Sequence, residues 1–193
     1  MKLNPEQLLA GILEPVFAIR TETDLGVGDT DGVRQMIDWC HRYGLGIFQT
    51  LPINETSDDN SPYNSISSLA IEPTTIAVSP RWLPDLSAAQ FRKIVKPSLL
   101  AELRAGAVDY PKVKALKRRL LAAAFGNFLK RHFNRTTKRA RLFRRFLSEN
   151  AEWLSDYALF RVLMEANGNV PTWDHWPAED RKSTRLNSSH RIR

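Results

Sequence analysis

Near the start of the chain, the apolar positions form two strand-like runs separated by one helical stripe. Residues 11–20 (GILEPVFAIR) and 46–53 (GIFQTLPI) are short, mostly apolar runs, which is typical of buried strands. Between these runs, apolar side chains recur at the spacing of an amphipathic helix, at Val33, Met36, Ile37 and Cys40. A strand, a helix and a second strand in this order predict a βαβ unit, which favours a parallel sheet.

The helix between the two strands has recognisable ends. Residues 21–29 (TETDLGVGD) are polar and contain glycine, so they predict a loop, and either Asp29 or Thr30 can cap the helix that follows. Gly44 supplies the left-handed conformation that ends a helix. Because Cys40 lies on the apolar stripe, its thiol is expected to pack in the core and not to act as a nucleophile.

A long polar loop follows the second strand. Residues 54–67 (NETSDDNSPYNSIS) stand at the carboxyl end of that strand, which is where ligands bind in parallel α/β folds. Residues 71–79 are compatible with a short strand or with an extended loop. From Ser87 onward the apolar spacing predicts mostly helices.

A basic segment lies within the predicted helical region. Residues 110–148 contain thirteen Lys or Arg and no Asp or Glu. Apolar residues recur there at helical spacing, which predicts amphipathic helices with a solvated basic face. Phosphate binding, a membrane surface and an acidic partner are the alternatives to simple solvation. The apolar positions are Leu116, Leu120, Leu121, Ala124, Phe125, Phe128 and Leu129, followed by Leu142, Phe143, Phe146 and Leu147.

Most of the net charge of +7 comes from the end of the chain. Residues 181–193 (RKSTRLNSSHRIR) contain five Lys or Arg and no acid, and without them 23 basic residues face 21 acidic ones, a net charge of +2. This segment has no hydrophobic periodicity, so we expect a non-native basic tail or a disordered one. A small basic helical module that binds nucleic acid is kept as an alternative function.

Composition places the chain among ordinary globular proteins. It has 193 residues, of which 42% are hydrophobic and 25% charged, and this predicts one or two domains with a substantial core. No run approaches the about 18 consecutive apolar residues of a membrane helix, and the N-terminal segment is unlike a secretory signal. The single cysteine cannot form an internal disulfide. We therefore expect a cytoplasmic protein that does not act at a membrane.

The sequence gives little support to a cofactor or a metal. Residues 26–32 (GVGDTDG) open a helix, but their glycine spacing departs from the dinucleotide-binding pattern. In addition, Asp29 and Asp31 would repel a pyrophosphate at that helix end. The four histidines are too scattered to form a metal site. We expect neither a cofactor nor a metal ion.

Tyr63 is the strongest candidate for contact with a ligand. It is an aromatic residue in a polar loop, it follows Pro62, and Ser61 and Asn64 lie beside it. Such a group suits carbohydrate, because sugars lay apolar faces on aromatic rings and hydrogen-bond through their hydroxyl rims. The alternative is a tyrosine that packs as an anchor of the loop. Asp59 stands directly after another aspartate, so the two cannot face each other across a sugar ring, and a solvated loop acid is its simplest role.

Taken in order along the chain, several segments resemble one family. They are EPVFAIR, DLGVGD, FQTLPIN, DNSPYNSISSLAIEP, VDYPKVKALKRRLLAAAF, WLSDYALFRVLMEANG and WDHWP, and together they cover roughly residues 11–180. The sequence resembles the 4-alpha-glucanotransferases, which are also called amylomaltases or disproportionating enzymes and form glycoside hydrolase family 77. One of these segments alone would be weak evidence, but the ordered set is specific.

This resemblance implies a fold and an activity. The fold class is α/β, an α-amylase-type (β/α)8 barrel with helical insertions, and the activity is transfer of a segment of α-1,4-glucan to another glucan or to glucose with retention, without a cofactor. Tyr63 and Ser61 carry over as glucan contacts, and Asp59 follows them. No role is carried over to Glu72, because family members often have Asn-Pro where this chain has Glu72-Pro73.

The resemblance also implies that the barrel is incomplete. The catalytic Asp, the acid/base Glu and the stabilising Asp of the family lie on later barrel strands, so no residue of this chain inherits a catalytic role. A barrel needs eight βα units, and the sequence predicts two strands. We therefore expect an N-terminal fragment, with the first βα units and the substrate loop in residues 1–86, a helical insertion in 87–180 and the basic tail in 181–193.

Overall fold

The computed structural model describes residues 8–181. Its sheet consists of two short parallel strands. Strand β1 (Gly11–Leu13) pairs with strand β2 (Ile47–Gln49), and helix α1 (Thr30–Arg42) connects them. The register pairs Gly11 with Ile47 and Leu13 with Gln49, and the backbone N–H of Glu14 extends the pairing by donating to Gln49 O at 3.0 Å. The predicted parallel βαβ unit is confirmed.

The predicted extent and burial of these strands are wrong. Each strand has three residues instead of eight to ten, and side chains of both are exposed, with Leu13 at 52% and Ile47 at 40%. Pro15 ends the first strand, since its backbone (φ −64°) leads into a 3₁₀ helix at Val16–Ala18. The sheet of the described residues has two strands, so no third strand covers their outer edges.

Helix α1 has the ends that the sequence predicts. The carboxylate of Asp29 caps its first turn, where Oδ1 accepts from the backbone N–H of Asp31 at 2.9 Å and of Gly32 at 3.3 Å. Gly44 follows the last turn at φ +72°, a conformation that a side chain would strain. The thiol of Cys40 is buried, as expected of a packed residue. Ile37, by contrast, is 50% exposed, so the apolar stripe is only partly covered.

The rest of the described chain is mainly helical, which confirms the prediction made from Ser87 onward. The helices are α2 (Ala88–Ile94), α3 (Pro97–Arg104), α4 (Tyr110–Phe128), α5 (Lys138–Glu149) and α6 (Ala151–Ala166). A π-helical turn at Leu129–Phe133 continues α4, and a short 3₁₀ helix forms at Trp173–His175. None of the helices within residues 8–181 combines the length and the apolar character needed to span a bilayer.

The chain divides into two compact units between Arg131 and His132. In the first unit, helix α4 supplies much of the core, and its predicted stripe is buried at Leu116, Leu120, Ala124 and Phe128, whereas Phe125 is 51% exposed. Leu116, Leu120 and Ala124 pack with buried residues of the preceding segments, namely Leu25, Val27, Val78, Leu86, Val95 and Leu103.

In the second unit, helices α5 and α6 pack together. The stripe predicted on α5 remains largely uncovered, since Leu142 is 47% and Phe146 48% exposed. A ring pair between Phe160 and Trp176, with centroids 5.5 Å apart, helps to hold the segment after α6. The domain boundary predicted at residue 86 stays a prediction. The predicted basic tail lies, apart from Arg181, outside the described residues.

Candidate functional site

The polar loop predicted after β2 is closed at its base by backbone pairing. The N–H of Glu72 donates to Ile53 O at 2.9 Å, and the N–H of Glu55 donates to Ala70 O at 2.9 Å. Farther along, Ile66 N–H donates to Glu55 O at 2.8 Å. These bonds bring the two ends of the loop together. Residues 54–71 are called the substrate loop below, after the role that the family resemblance implies for them.

At the tip of the substrate loop, the side chain of Asp59 organises a tight turn. Its carboxylate accepts from the side-chain amide of Asn64 at 2.8 Å and from the backbone N–H of Ser61 at 3.1 Å. These two bonds, the Asn64 bond first, lower the pKa of Asp59 below its usual value. Ser61 Oγ in turn accepts from the backbone N–H of Tyr63 at 3.4 Å. The three residues singled out from the sequence, Asp59, Ser61 and Tyr63, therefore belong to one hydrogen-bonded turn.

The ring of Tyr63 is left open to solvent by this turn. Its side chain is 75% exposed, which argues against the alternative of a packed loop anchor. Pro62, which precedes it, restricts the backbone. An exposed aromatic ring on a restrained backbone offers a flat apolar face at little entropic cost, which is what a sugar ring needs from a binding surface.

An apolar recess lies beside the tip of the loop. Phe17, Leu51, Pro52, Pro62 and Tyr110 line it, and Asn60 contributes its polar side chain. Asn60 holds a left-handed backbone conformation at φ +55°. Its side-chain oxygen Oδ1 is buried without a hydrogen-bond partner in the described structure. Asparagine adopts this conformation more readily than most residues, so the unusual feature of Asn60 is its buried acceptor without a partner.

Glu72 fastens the base of the substrate loop. Oε2 accepts from the backbone N–H of Thr56 at 3.0 Å and from its hydroxyl at 3.1 Å. Oε1 accepts from the backbone N–H of Thr74 at 3.1 Å and from its hydroxyl at 2.8 Å. A buried carboxylate with four donors joins the start of the loop to the 3₁₀ turn Pro73–Thr75. The sequence offered no signal for this, because the partners lie as far as 16 residues apart.

Lys117 is the exception on α4 to the predicted solvated basic face, since Lys112, Arg118 and Arg119 are exposed. Its side chain is 1% exposed, and Nζ donates to the backbone carbonyls of Thr74 at 2.5 Å and Ile76 at 2.8 Å. Asp29 Oδ2 lies 4.0 Å from the same nitrogen. Burial lowers the pKa of Lys117 to about 8, against the attraction of Asp29. Its spacing of four from Val113 and three from Leu120 places it on the buried stripe, which was the overlooked signal.

The loop before α1 uses its acids to hold its own backbone. Asp24 accepts from Arg20 Nε at 3.0 Å and Nη2 at 3.1 Å, and from the backbone N–H of Gly26 at 2.8 Å. Burial opposes the charge, but the bonds from Arg20, Gly26 and Thr21 outweigh it and lower the pKa of Asp24. Asp29 caps the N-terminus of α1, and the glycine-containing segment before it is a turn packed against Leu103 and Ile19.

Comparison with known proteins gives the family. The family model described as 4-alpha-glucanotransferase matches residues 14–192. This chain belongs to the 4-alpha-glucanotransferase family. The 4-alpha-glucanotransferase of Chlamydia trachomatis is 34% identical over 172 residues, which cover 86% of this chain and 30% of that protein. The enzyme of the same name from Synechocystis is 34% identical over 155 residues, covering 78% and 28% of the two chains.

A solved structure shares the fold of this family member. The amylomaltase from Streptococcus agalactiae, determined in complex with acarbose, superposes with a TM-score of 0.68 over 96% of this chain and 36% of that one. Its sequence identity of 24% means that the likeness shows the fold alone. The chain thus spans about 30% of the length of the curated glucanotransferases it matches. These findings give no support to the nucleic-acid-binding alternative.

Proposed function

We propose that this chain is part of a 4-alpha-glucanotransferase, an enzyme that transfers segments of α-1,4-glucan to an acceptor glucan or to glucose with retention. Family membership over residues 14–192 supports the activity. The likeness to an amylomaltase that binds acarbose supports a glucan or malto-oligosaccharide as substrate. The lone buried Cys40 fits the reducing cytoplasm as its compartment.

The β1–α1–β2 unit supports a further proposal about the architecture. We propose that it is the start of a (β/α)8 barrel, that the helices after residue 87 form an insertion, and that the barrel is incomplete in this chain. The parallel pairing of β1 with β2 through a helical crossover fits the repeating unit of such a barrel. Within residues 8–181 the outer edges of both strands are open, which fits neighbours supplied by the remaining barrel units.

The substrate loop forms part of the glucan-binding wall in this proposal. The exposed ring of Tyr63, held by the Asp59 turn, is the observation that carries it. Tyr63 stacks on the apolar face of a glucose unit, and the hydroxyl of Ser61 bonds to the rim of the sugar. Asp59 acts first by shaping the turn, since both of its oxygens accept hydrogen bonds within the loop.

A binding experiment tests this assignment. We expect Tyr63→Ala to weaken maltoheptaose binding about tenfold, as loss of one aromatic contact of about 1.4 kcal/mol would do. Titration calorimetry, or NMR titration if binding is weak, provides the measurement. Tyr43→Ala is the matched control, because Tyr43 is also exposed (63%) but lies beyond the end of α1. If the wild type and the Tyr63→Ala variant bound maltoheptaose equally well, Tyr63 would not contact the glucan and the proposed role of the loop would be wrong.

The transfer reaction itself is expected to need more of the family's sequence. We assign no catalytic residue to this chain, since the carboxylates that break the bond are proposed to come from parts of the relatives that it does not cover. Retaining transfer requires two carboxyl groups about 5 Å apart across the bond. The purified chain should release no glucose from maltotriose. Glucose above that of an enzyme-free blank would show that this chain carries its own catalytic acids.

A further inference from the structure

We infer that Lys117 is a positioning residue for the substrate loop, through which helix α4 fixes the loop that presents Tyr63. The role of the loop in binding glucan rests on the proposed function, but the contacts that hold the loop do not depend on any ligand. Lys117 does not touch the loop tip. It acts through the 3₁₀ turn Pro73–Thr75, and the turn acts through Glu72.

The first step of the connection runs from α4 to the turn. The ammonium of Lys117 donates to Thr74 O and Ile76 O, so one side chain holds the carbonyls on both sides of Thr75. The helix beneath it is fixed, because Leu116 and Leu120 on either side are buried in the core of the first unit. A turn held from a packed helix has little freedom to move.

The second step runs from the turn to the loop. Thr74 donates through its N–H and its hydroxyl to Glu72 Oε1, and Thr56 donates in the same way to Glu72 Oε2. Thr56 forms a backbone bridge with Ser65 across the loop. Beyond that bridge, Ser57 N–H donates to Asn64 O at 3.3 Å, directly below the Asp59 turn. An unbroken series of hydrogen bonds therefore leads from Lys117 to the segment that carries Tyr63.

The charged groups around Lys117 decide how this connection responds to pH. Asp29 faces it from the start of α1, Asp24 from the preceding loop and Glu72 from the turn, while Tyr110 of α4 lies near Glu72. Burial dominates and lowers the pKa of Lys117 to about 8. If the turn opens, water reaches the ammonium and its pKa returns towards 10.5. The closed state then binds the proton less tightly than the open one, so a rise in pH above 8 favours the closed loop.

Hydrogen exchange of the loop amides is the test. Three variants are compared with the wild type: Lys117→Met, which removes all donors; Lys117→Gln, which keeps an uncharged donor; and Arg119→Met, which removes a charge from an exposed position of the same helix. We expect Lys117→Met to lower the protection factors of Glu55, Thr56 and Ile66 about tenfold, while core amides of α4 hold theirs. Lys117→Gln should recover part of this protection, and Arg119→Met should match the wild type.

The pH profile separates positioning from general packing. Protection of the same amides, corrected for intrinsic exchange, should rise between pH 8 and 9.5 in the wild type and stay flat in Lys117→Gln. Because this comparison uses Lys117→Gln, it can be made even if Lys117→Met does not fold. Loop protection unchanged by both Lys117 variants, or lost evenly throughout the chain, would overturn the inference. Maltoheptaose titration of the same samples tests the proposed function separately: a loosened loop in a chain that never binds the glucan leaves positioning intact and refutes the glucan site.

Discussion

Lys117 carries its ammonium group into the interior of the first compact unit, beside two backbone carbonyls and the carboxylate of Asp29. Single residues of this kind set the energetics of the fold, because a buried charge is expensive unless its surroundings satisfy it. Asp29 shares this environment, and burial raises its pKa even though Lys117 lies nearby. Both ends of the pair therefore carry a desolvation cost.

Stability should depend on pH through Lys117. Its pKa in the folded chain is about 8, below the value of 10.5 in the unfolded chain. Between these two values the unfolded chain holds a proton that the folded chain has released, so rising pH favours folding. This group should add about 3 kcal/mol to the free energy of unfolding as pH goes from 8 to 10.5.

Urea unfolding at several pH values measures this effect. Lys117→Met is the reference, since the other titrating groups remain and only the slope due to Lys117 disappears. Parallel pH profiles for the wild type and Lys117→Met would mean that the ammonium titrates with an ordinary pKa in the folded chain.

Among the elements, the substrate loop is held at its base by the carboxylate of one residue. Glu72 receives four hydrogen bonds from Thr56 and Thr74, and these replace the regular sheet pairing that a loop lacks. The loop tip, in contrast, is shaped locally by Asp59. Base and tip are thus held by different residues and can be disturbed separately.

Removing the carboxylate at the base should destabilise the chain more than removing an exposed one. Glu72→Ala leaves the N–H and hydroxyl groups of Thr56 and Thr74 without their acceptor, at a cost of about 3 kcal/mol in the free energy of unfolding. Glu22→Ala, at an exposed position, should change it by less than about 0.5 kcal/mol. Chemical denaturation of the two variants gives the comparison. A small effect of Glu72→Ala would indicate that water replaces the lost acceptor.

At the scale of the whole molecule, apolar surface remains around the two-stranded sheet. Leu13 and Ile47 of the strands and Ile37 and Trp39 of α1 are each at least 40% exposed. Strands with open edges and apolar side chains pair readily with other chains. The net charge of +7 opposes this association only in part, because much of it is concentrated in the last thirteen residues.

Self-association should therefore begin at the sheet. Leu13→Lys places a charge on β1 and should reduce concentration-dependent light scattering of the purified chain. Val162→Lys is the control, because Val162 is more exposed, at 65%, but lies on α6. If the α6 variant suppressed scattering as well as the β1 variant, net charge and not the strand edge would govern association.

The sequence by itself determined the features that depend on neighbouring residues. Helical periodicity located α1 and α4, the Asp29 side chain caps its own helix, and the run Asp59–Tyr63 folds into a turn because its bonding partners lie within five residues. The parallel βαβ unit followed from the order of these local elements. The family segments, read in order, also gave the family.

Only the tertiary structure decided the features whose partners lie far apart in the chain. Pairing across 41 and 43 residues turned Lys117 from a solvated charge into a buried one, and Glu72 gained its role from Thr56, 16 residues away. Strand burial was mispredicted for the same reason: a short apolar run shows which side chains could be covered, but neighbouring elements decide which ones are.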